Sequence, residues 1–242
     1  MGNPAHRLLV IDPDPVRFQA ASDQSLLVSF GGEITPAAHE RVRRLLRLLE
    51  SERVPAIGNL HPAYCSLLIR FDALQAGHDE MEAILRSCLA RIDGLPLPEP
   101  REVEIPVCYG GEFGADLAEL AGMHGMTPDQ AAALHASAAY TAYFLGFTPG
   151  FAYLGGLPAE LATPRLASPR RTVPAGSVGI AGNQTGVYPF ATAGGWRLIG
   201  RTPVALFRPG EREMSLLSIG DRVRFRPIPA EEFAKRAEWW PT

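Results

Sequence analysis

The sequence predicts an α+β protein of two units. A ferredoxin-like split βαβ domain is expected over residues 1–98, and a β-rich unit led by short helices over residues 99–242. Three observations predict this. Residues 25–107 alternate short apolar runs with amphipathic helical patterns in the order β-α-β-β-α-β. Residues 94–100, GLPLPEP, read as a connection. Beyond Gly146 the apolar segments are short, β-prone and separated by turns, as in a small barrel or sandwich.

Ser25–Phe30 is a strand by length and apolar content. Thr35 and Pro36 start a helix, as N-cap and first helical residue. Val42, Leu45, Leu46 and Leu49 then recur at helical spacing, with Glu40 and Arg44 paired on the other face. Pro55–Leu60 and Ser66–Phe71 are two further strands. Met81, Leu85, Cys88 and Ile92 form the face of a second helix. Val103, Ile105 and Val107 alternate with polar residues and close the pattern as a strand that either unit can claim. Asp116–Ala121 is a short helix. Thr127 to Gln130 form a capping box, followed by an Ala-rich helix expected to run to about Tyr143. Ser177–Ala181, Trp196–Gly200, Val204–Phe207 and Val223–Pro227 are the expected strands of the second unit, and Gly220-Asp221 is a turn.

The totals exclude several classes. A net charge of −3 offers no general attraction to nucleic acid or to an anionic membrane. No apolar run reaches the 18 to 20 residues of a membrane span. The N-terminus, MGNPAHRLLVID, lacks a signal pattern, and a cytoplasmic location is expected. Cys65, Cys88 and Cys108 are odd in number and dispersed, as reduced core thiols are; a catalytic cysteine is the alternative. Histidine and cysteine spacings fit no metal site. Lys235 is the only lysine. That excludes a phosphate loop and a biotinyl lysine.

The stretch from Gly146 to Pro203 holds eleven of 24 Gly and seven of 22 Pro, yet it is rich in aromatic residues. From Phe147 to Gly210 six arginines face a single acid, Glu160. A Gly-rich, Arg-bearing surface suits a small anionic substrate; arginines scattered on solvated loops are the other reading. The candidate substrate-binding residues are Arg170, Arg171 and Arg201, whose guanidinium groups present paired donors, with Gln184 and Tyr188 as polar readers. Phe151, Tyr153, Gly194, Gly195 and Trp196 are the candidate pocket wall. The stretch contains no histidine, so a general base must come from elsewhere. His135 and His61 are the weak candidates, each with a competing structural role, and Asp72 and Asp116 are carboxylates available outside the stretch.

GFTPGFAYLGGLP, the Pro-Arg of SPRR, VPAGSVGIAGNQTGVYP and GGWRLIGRTP resemble the family of 5-oxoprolinase B subunits, also called allophanate hydrolase subunit 1 and KipI. The likeness extends over roughly residues 20–228. One departure is Thr192-Ala193, where the family has Ser-Pro before GGW. The resemblance implies a cyclophilin-like β-barrel as the C-terminal domain. It implies partner subunits A and C, the latter adjacent or fused, and ATP as a co-substrate of the complex in converting 5-oxo-L-proline to glutamate. It also implies two alternatives: an inhibitor of a sensor histidine kinase, and the carboxyltransferase half of a urea-type carboxylase.

Overall fold

A computed structural model describes residues 16–236. MGNPAHRLLVID, read above for a leader, lies outside the described residues. The chain divides into two compact units, the first ending at Leu97 and the second beginning at Pro98.

The first unit contains β1 (Arg17–Ser22), β2 (Ser25–Ser29), α1 (Pro36–Glu52), β3 (Ile57–Pro62), β4 (Ser66–Phe71) and α2 (His78–Leu89). Its sheet has the order β1-β2-β4-β3, antiparallel throughout. Thr35 caps α1 as expected, accepting from the Ala38 N–H at 3.1 Å. Val42, Leu45 and Leu49 of α1 and Met81, Leu85 and Cys88 of α2 are buried. With Val28, Leu67 and Ile69 of the sheet they supply the apolar interior that stabilises the unit.

Two corrections to the expected split βαβ follow. Its closing strand belongs to the other unit. The edge beside β2 is instead taken by β1, joined through a tight hairpin that the sequence reading missed. Most of β1 is exposed, so it carries little of the alternation that marks a half-buried strand.

The second unit contains β5 (Glu102–Tyr109), α3 (Leu117–Met123), α4 (Pro128–Ser137), β6 (Tyr140–Leu145), β7 (Ala152–Gly155), β8 (Arg170–Val173), β9 (Ser177–Ala181), β10 (Gln184–Val187), β11 (Thr192–Gly194), β12 (Arg197–Arg201), β13 (Arg222–Pro227) and α5 (Ala230–Arg236). Seven strands close into a barrel in the order β10-β7-β6-β13-β5-β12-β9. The β5–β13 pair is parallel over six residue pairs, which is why the 102–107 segment joins the barrel. β8 and β11 form a separate two-stranded ribbon.

The Ala-rich helix is shorter than expected. It stops at Ser137, and YTAYFL becomes β6, whose backbone pairs with β7 and β13. The aromatic and β-branched residues there prefer strand, and barrel closure satisfies their backbone groups. Val204–Phe207 is not a strand; only Phe207 makes a bridge, to Ser215.

Strand alternation sorts the barrel residues into two layers. Ile105, Ala152, Leu154, Ile180, Ile199 and Phe225 fill the interior. Phe151, Val173, Ala181, Tyr188, Trp196 and Leu198, with Tyr153 against them, form a second cluster. Leu198 and Ile199 fall in different clusters, as do Tyr153 and Leu154, so the second cluster lies on the outer face of the barrel wall. The ribbon contributes Val173 to it.

Candidate functional site

The outer cluster builds a cavity of about 120 Å3, lined by Phe147, Phe151, Tyr153, Arg165, Tyr188, Ala193, Gly194, Gly195 and Trp196. All five residues expected as its wall are there, together with Tyr188. Their rings meet edge to face, with centroids 5.5 Å apart for Phe151 and Trp196 and for Phe151 and Tyr188.

Glycine is what brings these rings onto the wall. Gly179 and Gly186 are partners in the β9–β10 ladder. A Cβ at Gly186 would stand 3.0 Å from the Phe151 ring and 3.2 Å from the Trp196 ring; one at Gly179 would stand 3.0 Å from the Trp196 Cβ. At the opposite side a Cβ at Gly194 would lie 2.5 Å from the Tyr188 hydroxyl oxygen. Phe147 stands at the mouth, 58% exposed, with a φ of 66°. That left-handed conformation is uncommon outside glycine.

The cation of this cavity is Arg165. Burial pushes the Tyr188 hydroxyl up, while a backbone hydrogen bond from Trp196 and the charges of Arg165 and Arg170 pull it part of the way back. The hydroxyl is therefore a protonated donor facing a positive field. Among the described residues the lining contains no carboxylate and no histidine. Arg165 is thus the formal charge among the described residues of the lining.

The expected arginines do not converge. Arg170 and Arg171 are consecutive residues of β8 and so project to opposite faces. Arg170 is committed to Asp116, its Nη2 donating to Oδ1 at 2.5 Å. Asp116 is buried, and its Oδ2 accepts the Leu198 N–H at 2.6 Å. Arg171 is exposed. Arg201 lies elsewhere: its Nε donates to the Ala175 carbonyl at 2.7 Å, and its guanidinium sits 5.8 Å from the Phe233 ring centroid. Gln184 opens β10 and is not part of the lining. Thr192-Ala193, the departure from the family pattern, lies in β11, and Ala193 lines the cavity.

His135 is a core residue. It is fully buried, with Nδ1 2.8 Å from the Tyr109 hydroxyl and Nε2 3.0 Å from Thr185 Oγ1. Thr185 Oγ1 donates to the Gly179 carbonyl at 2.9 Å, so it accepts from Nε2–H, and Tyr109 donates to Nδ1. Burial pulls the His135 pKa down to about 3. Its Nδ1 lone pair is already taken by the Tyr109 hydroxyl and it does not line the cavity, so the structure places His135 in the core. His61 lies exposed on β3 of the first unit, paired in register with Leu68. Asp72 caps a turn, accepting from the Leu74 N–H and the Gln75 amide.

Cys88 and Cys108 are buried free thiols whose pKa values are raised by burial, which disfavours the nucleophilic thiolate. Among the described residues no cluster of three or more His, Cys, Asp or Glu side chains is arranged to hold a metal ion. Among them, too, no helix is long and apolar enough to cross a membrane.

Sequence reasoning missed Arg165 and the role of Phe147. Arg165 sits between Pro164 and Leu166 with no motif to single it out, and Phe147 was one aromatic among many. Nor did a linear reading join Arg170 to Asp116, 54 residues upstream.

The family model for the carboxyltransferase domain, subdomains C and D, matches residues 16–217. The 5-oxoprolinase B subunit of Bacillus subtilis (strain 168) is 40% identical over 230 residues, spanning 90% of this chain and 96% of that protein. The crystal structure of TTHA0988 superposes with a TM-score of 0.75 at 35% identity, covering 86% of this chain and 41% of that one. The chain thus spans about two fifths of TTHA0988. The Kluyveromyces lactis urea carboxylase shares the fold, with a TM-score of 0.76 at 20% identity, over 92% of this chain and 22% of that one.

Proposed function

The chain belongs to the family of carboxyltransferase subdomains C and D, and from that premise we propose that it is the B subunit of a 5-oxoprolinase. In this reading the assembled enzyme converts 5-oxo-L-proline to L-glutamate with ATP as co-substrate. Subunits A and C are its partners, and the cytoplasm is its location. ATP need not touch this chain. The expected likeness of the barrel to cyclophilin is one of fold and enters no step.

The cavity beneath the β8–β11 ribbon carries the reading. Its volume of about 120 Å3 suits a compact five-membered ring with one carboxylate rather than a nucleotide or a peptide. Arg165 would hold the carboxylate through a charge-assisted, two-donor contact. Tyr188 would donate to the lactam oxygen, and Phe151 and Trp196 would flank the ring. The lining holds no acid or base, so the chain orients substrate while the proton transfers and phosphate chemistry fall to partner subunits. This moves the anion-binding role from Arg170, Arg171 and Arg201 to Arg165.

A histidine-kinase inhibitor would need a docking face and no ligand cavity, so the cavity weighs against it. A urea-type carboxylase half is compatible with the family model, but its structural likeness is at 20% identity, whereas the curated relatives at 40% identity or more are 5-oxoprolinase B subunits. The test is titration calorimetry of 5-oxo-L-proline with the chain and with Arg165→Ala and Arg165→Lys. Binding is expected for the parent, weakened about ten- to a hundred-fold in the alanine variant, with incomplete rescue by lysine. ATP hydrolysis dependent on 5-oxoproline is expected only when subunits A and C are added. Turnover by the chain alone, or binding indifferent to Arg165, would defeat the proposal.

A further inference from the structure

Lys235, the only lysine of the chain, lines a groove that the reading above does not use. The groove lies in the second unit, between the loop after β12 and the last turn of α5, and its volume is about 720 Å3.

Its walls are held firmly. Leu206 is buried in the barrel interior, and Phe207 bridges to Ser215. The Arg208 N–H donates to the Met214 carbonyl at 2.7 Å, and the Leu216 N–H to the Leu206 carbonyl at 2.9 Å. A Cβ at Gly150 would fall 2.7 Å from the Phe207 Cβ, so the loop lies directly on that backbone. On the other side Phe233 anchors α5 against Phe113, Cys108 and Ile228.

The groove has two chemical parts. One wall is apolar, with Pro203, Val204 and Phe207. Phe190 extends it, 40% exposed and with its ring 5.7 Å from that of Phe207. The rim is basic, with Arg208, Lys235 and Arg236 against Glu211.

Its cations are weakly engaged. Arg208 meets Glu211 at 3.6 Å, and both are more than half exposed. Arg236 meets Glu232 at 2.9 Å, but that carboxylate also serves Arg226 at 3.0 Å. Lys235 makes no ion pair among the described residues. The negative end of a helix favours Lys235 and Arg236 where they stand. It does not account for Arg208 or for the apolar wall.

We propose that this groove docks an acidic segment of a partner subunit that also carries an apolar side chain. The inference rests on the subunit reading above. Charge complementarity selects the occupant. In a chain of net −3 this rim is positive, so it favours an acidic segment and disfavours basic ones. A phosphate-sized anion would use the rim and leave the wall of Pro203, Val204 and Phe207 without purpose.

The test mixes the full chain with the co-expressed C-type partner and measures affinity by calorimetry at two salt concentrations. The variants are Arg208→Glu with Lys235→Glu together, and Phe190→Ser alone, each checked by thermal melt. The parent is expected to bind, more weakly at high salt. The charge-reversed variant should bind at least tenfold more weakly and lose most of the salt dependence. Phe190→Ser should bind more weakly with the salt dependence kept. Both variants should retain the parent's affinity for 5-oxoproline, since none of the three substituted residues lines the smaller cavity. Parental affinity in both variants, or no binding by the parent, overturns the groove proposal. Inorganic pyrophosphate serves as a second probe. If it saturates the parent below about 1 mM and is lost on charge reversal, while partner affinity is unchanged, the groove is a small-anion site and the proposal fails. Failure of 5-oxoproline to bind the parent sinks the substrate reading alone, and the partner titration still decides the groove.

Discussion

Replacing Arg170 by alanine should cost the second unit about 3 kcal/mol of stability. Asp116 is 5% exposed, and its two oxygens accept from Arg170 Nη2 at 2.5 Å and the Leu198 N–H at 2.6 Å. Its own N–H donates to the Leu198 carbonyl at 2.9 Å, so the carboxylate is tied into β12 and cannot turn to solvent without releasing that strand. Breaking a buried pair by removing one partner costs about 3–5 kcal/mol, because the remaining charge is left uncompensated. The Arg170 side chain is 29% exposed, and water can enter the space it leaves, which places the cost near the lower end. For a unit of this size that corresponds to a fall in Tm of about 6–12 °C. Asp116→Asn should cost less, since its amide oxygen still accepts from Leu198 and the freed guanidinium can reach water. The double variant should cost less than the sum of the two, with a coupling of about 1–3 kcal/mol. Arg86→Ala breaks the exposed Arg86–Glu82 pair of α2 and serves as the comparison, at under about 0.5 kcal/mol. Urea and thermal melts of the four variants measure all of this. If Arg170→Ala melts within about 2 °C of the parent yet loses 5-oxoproline binding, Arg170 belongs to the ligand and the structural assignment is wrong.

Acid should destabilise the fold through His135: folded, it titrates at about 3, unfolded at about 6.5, so stability present above pH 6.5 is lost as pH falls toward 3. At pH 4.5 the loss is on the order of 2–3 kcal/mol, and His135→Gln should melt with a flatter pH profile over that range. Gly194→Ala places a methyl group 2.5 Å from the Tyr188 hydroxyl oxygen; it should weaken 5-oxoproline binding and lower stability by about 1–3 kcal/mol, read by calorimetry and melting. Residues 98–242 expressed alone should melt cooperatively, because the barrel closes within that segment; a fragment without a transition would contradict this.

What was legible in the sequence is what local physics controls. Thr35 and Thr127 cap their helices because a hydroxyl at that spacing satisfies a free N–H whatever the tertiary context. The strand at Ser177–Ala181 follows from an apolar run bounded by turns. What failed is what distant pairing controls. The segment at 102–107 reads as a strand, but only its parallel partner, β13, decides which unit owns it. Tyr140–Leu145 follows a good helix without a breaker, and two flanking strands make it β6. The aromatic wall was legible because Gly and aromatic residues are concentrated in one stretch. The cation of that cavity was not, because strand parity and contacts with α3 separate arginines that are neighbours in sequence.

That separation changes what the site can do alone. Counted along the chain, six arginines oppose one acid between Phe147 and Gly210. In the fold, Asp116 takes Arg170, Glu119 takes Arg197 at 2.9 Å, and Glu211 meets Arg208 at 3.6 Å. Arg171 and Arg201 lie away from the cavity, which leaves Arg165 as the cation of its lining. One charge-assisted contact contributes about 1.5–3 kcal/mol, and a cavity of about 120 Å3 buries little apolar area beyond one ring face. Against the cost of immobilising a ligand, this predicts weak binding by the isolated chain, with Kd in the range of about 0.1–10 mM. A mouth closed by a partner would exclude water from Arg165 and Tyr188 and strengthen both contacts. Phe147, exposed at that mouth, is the residue such a partner would cover. Calorimetry with 5-oxoproline should therefore show at least tenfold tighter binding once the partner subunits are added, and Phe147→Ala should reduce that gain by a larger factor than it weakens the isolated chain, whose cavity Phe147 also lines. Equal affinity with and without partners would mean that the site is complete within one chain.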